Sequence, residues 1–142
     1  MPLINFGSIL NFAEKLEKGD YDFYVALIQN SECIRDKDIY EKFATDAQKN
    51  VKTVQRARRE NVTEMILEPI VDFTRVSFII DYGNAETMNA ADSLATVGKL
   101  EERAERYYTE AAEKIKALPE VARILKLIAK KRRAHIGMLE LR

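Results

Sequence analysis

This chain writes one helical face twice. Leu10, Ala13, Glu17, Asp20, Tyr24 and Leu27 step by threes and fours, and 84 positions later Leu94, Val97, Glu101, Ala104, Tyr108 and Ala111 repeat the steps. Residues at that spacing share one side of an α-helix. A second pair of segments repeats at an offset of 85, where Ile39, Phe43, Ala47, Asn50 and Val54 correspond to Ile124, Ile128, Arg132, His135 and Leu139. A duplicated helical hairpin predicts an all-α, antiparallel four-helix bundle, with one long crossover between the second and third helices.

Four positions on these stripes break the apolar pattern: Glu17, Glu101, Arg132 and His135. Binary patterning alone would not place them inside a bundle. Their register predicts that all four side chains converge at mid-bundle, with Asp20 one turn from Glu17 and Tyr24 and Tyr108 neighbouring on the same stripes.

Composition limits what such a bundle does. At 142 residues and 46% hydrophobic, residues 1–142 read as one domain able to bury a core without disulfides or structural metals. Lys plus Arg and Asp plus Glu are both 23, so no net field recruits nucleic acid or an anionic membrane. The single Cys33 makes no intrachain bridge and fits a reducing compartment. No apolar run approaches the ~20 residues needed to cross a bilayer. The start MPLINFGSIL lacks a basic n-region and a small-residue cleavage site. The expected location is therefore the cytoplasm.

Helix boundaries follow from capping chemistry. Ser8 is expected to cap a first helix running to about Asn30, and the polar NSECIRDKD stretch turns the chain into a second helix over about 36–59. Arg56, Arg58 and Arg59 suit the negative end of that helix. Asn89 or Asp92 starts a third helix reaching about 117, and Pro119 with Glu120 forms the first turn of a fourth, reaching about 141. Between the hairpins, VTEMILEPIVDF either prolongs the second helix to Pro69 or breaks earlier, and VSFII is short enough to be extended or helical. Residues 60–90 are too apolar for a solvated linker. They are expected to pack across the bundle or against another subunit, as in a homodimer.

LEKGDYDFY and LEERAERYY, each with a Glu seven residues before a Tyr, together with the long crossover and a His late in the fourth helix, resemble the ferritin-like superfamily. The rubrerythrin-like branch is the nearest match. Such proteins hold two iron or manganese ions with one Glu from each of the first and third helices and a Glu-x-x-His from each of the second and fourth. Carried onto this chain, the resemblance implies that Glu17 and Glu101 take the two carboxylate positions and His135 the fourth-helix histidine. The second-helix pair falls on Ala47 and Asn50, and the fourth-helix carboxylate falls on Arg132. Two carboxylates beside a permanent cation cannot balance two divalent ions. The implied centre is degenerate, with Arg132 supplying the metals' charge and Asn50 and His135 filling remaining lone pairs.

Two functional expectations result. The first is a protein without a cofactor or catalysis, in which a buried polar network replaces the di-iron centre and which acts by association with itself or another protein. The second is a metal-dependent oxidoreductase working on peroxide or oxygen, with one iron or manganese ion on Glu17, Glu101 and His135 near Asp20. Such an enzyme would need an external electron donor, because a one-cysteine chain carries no rubredoxin-like domain. The run Lys130 to Arg133 spreads around its helix and reads as a solvated face, and Cys33 reads as structural. Tyr24 and Tyr108 read as core aromatics with satisfied hydroxyls.

Overall fold

A computed structural model describes residues 6–61 and 73–142. Among these residues, four α-helices carry the fold: α1 (Phe6–Ile28), α2 (Lys37–Glu60), α3 (Ala90–Lys114) and α4 (Pro119–Glu140). Each begins within a few residues of its expected start. Asn89 caps α3 by accepting the Asp92 amide at 2.8 Å, and Pro119 lies in the first turn of α4. Ser8 lies inside α1 rather than capping it, because the helix is already formed at Phe6. Arg58, in the last turn of α2, reaches across to Glu14 at 2.9 Å and Asn11 at 2.7 Å instead of serving only its own helix end.

Hydrogen bonds between helices give their directions. Asn50 meets Glu17 and Gln55 meets Glu14, so α2 runs antiparallel to α1. His135 meets Glu101 while Arg133 meets Glu105, and α4 is antiparallel to α3. Tyr24 bonds Glu101 whereas Tyr108 bonds Glu17, which sets α3 antiparallel to α1. Short connections explain the two hairpins. A 3-10 turn at Ser31–Asp36 joins α1 to α2, and residues 115–118 join α3 to α4.

The apolar core falls into two clusters. One gathers Phe6, Ile9, Leu10, Ala13 and Leu16 with Val54, Ala104, Tyr107, Leu125 and Ile128. The other gathers Phe23, Tyr24 and Leu27 with Ile39, Tyr40, Phe43, Val97 and Leu100. Glu17, Asp20, Asn50, Glu101, Arg132 and His135 occupy the levels between them, all buried.

The described part of the α2–α3 connection lies against the bundle. Phe73, Phe78 and Ala85 are buried, and Asn30 holds the segment with bonds from Nδ2 to the carbonyls of Ala85 at 2.8 Å and Met88 at 2.9 Å. The VSFII stretch resolves into a 3-10 turn over Arg75–Phe78, followed by extended backbone at Ile79. Val76 and Ile79 are 70% and 63% exposed, so the apolar side chains of this segment are covered by their own bundle only in part. The expected extension of α2 to Pro69 lies outside the described residues. Among those described, no helix is long and apolar enough to cross a membrane.

Candidate functional site

Arg132 sits at the centre of the polar layer, 1% exposed. It projects from the inward stripe of α4 and is shielded from solvent, so the guanidinium must find its partners inside. Nη2 donates to Glu17 Oε1 at 2.7 Å and to Asp20 Oδ2 at 2.9 Å. Nη1 lies 3.0 Å from Glu101 Oε1 without hydrogen-bond alignment, so that contact is coulombic. One cation thus faces three carboxylates from two helices. Burial works against its charge, but Glu101, Glu17 and Asp20 outweigh burial and keep it protonated.

Each glutamate is completed by a tyrosine and an amide or imidazole. Tyr108 donates to Glu17 Oε2 at 2.6 Å, and Asn50 Nδ2 donates to Glu17 Oε1 at 3.3 Å. Tyr24 donates to Glu101 Oε1, and His135 Nδ1 lies 3.0 Å from the same oxygen. The other imidazole nitrogen, Nε2, meets Asp46 Oδ2 at 2.8 Å, and Phe43 stacks on the ring with centroids 3.9 Å apart. Both phenols are pushed upward, first by burial and then by the neighbouring carboxylate. They remain donors throughout the physiological range.

The two glutamates differ electrostatically. Burial raises Glu17 above its ordinary value, with Asp20 adding to the rise, and the opposing Arg132 does not cancel it. Burial also pushes Glu101 upward, but Arg132 and His135 together overcome it and hold the carboxyl below its ordinary value.

The sequence-identified Glu17, Asp20, Tyr24, Asn50, Glu101, Tyr108, Arg132 and His135 meet here, while Ala47 is buried on α2 and brings no polar atom. Several partners carried no signal in the stripes. Arg103 on α3 donates from Nη2 to Asp20 Oδ1 at 2.5 Å and from Nη1 to the Phe78 carbonyl at 3.5 Å. Tyr82, from the α2–α3 connection, donates to the same Asp20 oxygen at 2.5 Å. That approach requires Gly19, since a Cβ there would stand 2.9 Å from the Tyr82 hydroxyl oxygen. Asp20, expected only as a neighbour, uses both oxygens to bridge two guanidinium groups.

The residues do not fit a two-metal centre. Arg132 engages Glu17 Oε1 and lies against Glu101 Oε1, putting a permanent cation between these carboxylates, and Ala47 and Asn50 supply no carboxylate. Among the described residues, no group of three or more His, Cys, Asp and Glu side chains is arranged to hold a metal ion. What the arrangement does chemically is tie α1, α3 and α4 together through charge-assisted hydrogen bonds, with α2 joined through Asn50 and Asp46. Arg132 Nε and Glu101 Oε2 have no protein partner among the described residues, so the network is not saturated.

Comparison with protein-family models, curated proteins and solved structures finds no match to this chain.

Proposed function

We propose that this is a ferritin-like, rubrerythrin-related protein whose di-metal centre has been replaced by a buried guanidinium–carboxylate network, acting as a non-catalytic structural or interaction protein. The observation that carries the reading is Arg132, bonded to carboxylates of α1 and lying against Glu101 of α3 where the family's ions would be held. The helix directions support it as well. With α1 antiparallel to both α2 and α3, the second and third helices run parallel, and their connection has to travel the length of the bundle. Arg132 and Arg103, bridged by Asp20, supply two fixed positive charges to the layer. Unlike bound ions, they cannot leave, change oxidation state or open a coordination position to substrate.

Purified protein grown with iron and manganese tests the proposal. It should carry no stoichiometric metal, and neither a chelator nor added metal should move its melting temperature, because no ligand would favour the native state. Arg132→Glu removes the cation and crowds the carboxylates. That variant should melt lower without metal and recover with it. Adding Ala47→Glu and Asn50→His should raise the bound metal toward two ions per chain. Wild-type protein holding about one metal ion, lost on Glu17→Ala, Glu101→Ala or His135→Ala, would overturn the proposal in favour of a mononuclear oxidoreductase.

A further inference from the structure

The outer face of the α3–α4 hairpin is built from opposite charges, half of which form no ion pair among the described residues. Glu105, Glu110 and Glu113 edge a surface groove along α3, and Lys126, Lys130 and Arg133 edge it along α4. Among the described residues, only Arg133 and Glu105 pair across it, at 3.4 Å, with the Arg133 side chain 73% exposed. Glu113 turns instead to Lys116 at 3.1 Å, and Glu110, Lys126 and Lys130 form no ion pair among the described residues. Small side chains floor the middle of the groove, Thr109 on α3 and Ala129 on α4.

We propose that this face is where two copies of the chain associate. The geometry is self-complementary. The contact between Glu105 and Arg133 sets the level of two antiparallel helices, so Thr109 falls near Ala129 about one turn along, and Glu113 near Lys126 at about the second. A two-fold axis running along the groove keeps every residue at its level while laying α4 of one copy over α3 of the other. The acidic edge of each copy then meets the basic edge of its mate at both ends. Thr109 and Ala129 let the backbones approach at the centre, where larger side chains would hold them apart. A second copy fits better than a partner of one sign, because a uniformly acidic or basic surface would repel one edge of the groove. The inference does not depend on the ferritin-like reading, since it uses only the outward face of the second hairpin.

Sedimentation analysis of full-length protein at micromolar concentration tests it. Wild type should dimerise at low salt and dissociate toward molar salt, as screening removes the ion pairs. K126E/K130E makes the face predominantly acidic, with Arg133 its remaining cation, and E110K/E113K makes it predominantly basic. Each variant alone should weaken self-association by at least about tenfold, while an equimolar mixture should restore the dimer. Unchanged helical circular dichroism separates this result from misfolding, because all four positions are on the surface. A wild type that stays monomeric at low salt, or a dimer that either variant retains, would overturn the proposal.

Discussion

The two hairpins place a glutamate and a tyrosine at equivalent points of one polar layer, and yet their glutamates behave in opposite ways. Glu17 and Glu101 correspond by the repeat, as do Tyr24 and Tyr108, and the bonding is reciprocal: each tyrosine serves the glutamate of the other hairpin. Asn50 and His135 also correspond, each bonding the glutamate of its own hairpin. Beyond the Asn50–His135 exchange, the polar character of the stripes diverges at two pairs of positions. The first hairpin has Asp20 where the second has Ala104, and Ala47 where the second has Arg132. An added anion on one side thus answers an added cation on the other. Glu17, with Asp20 beside it, is raised, while Glu101, with an imidazole in place of an amide, is lowered. In this fold, two copies of a sequence motif become electrostatically distinct through a few neighbours.

The cation common to both hairpins gives the largest expected effect. Arg132→Met keeps most of the side-chain length but leaves Glu17, Asp20 and Glu101 buried against a neutral group. Urea denaturation should show a loss of ~3–5 kcal/mol. A loss below about 1 kcal/mol would mean that Arg132 does not hold the two hairpins' carboxylates together.

Neutralising the glutamates one at a time sharpens the contrast. In the fold, ionisation of Glu101 is favoured relative to an ordinary carboxylate and ionisation of Glu17 is disfavoured. Glu101→Gln should therefore cost about 2 kcal/mol or more, with Glu17→Gln costing less than about 1 kcal/mol. Equal costs would mean that the hairpins are electrostatically equivalent after all.

The smallest effect is in the pH dependence, where the two residues act with opposite sign. Glu101 binds its proton less readily in the fold than in the unfolded chain. Its contribution is present above the ordinary value of 4.5 and fades as pH falls through its lower folded value. Glu17 binds its proton more readily in the fold, so its contribution is present below 4.5 and is lost as pH rises through its raised value. Thermal melts across acid and neutral pH should show the first slope flattened in Glu101→Gln and the second flattened in Glu17→Gln. The same slope in both variants would break the assignment.

The helices and their inward faces were legible in the sequence because each turn places residues three and four apart side by side, whatever surrounds them. That local rule put Glu17, Glu101, Arg132 and His135 on buried faces and brought Asp20, Tyr24 and Tyr108 close to them. Capping chemistry located Asn89 and Pro119 for the same reason, since a cap is satisfied within a few residues. It misassigned Ser8, where a plausible capping side chain stands inside a helix already formed. Only the tertiary structure decided that Arg103, Asp46 and Tyr82 join the layer. Arg103 lies off the stripe of α3, Asp46 reaches His135 from another helix, and Tyr82 comes from the connection, so no spacing within one helix records these meetings. The opposite shifts of Glu17 and Glu101 belong to the same class of fact. A stripe shows that a carboxylate is buried, but the sign of its shift depends on which charges from other helices lie within a few ångströms, and tertiary packing alone sets that distance.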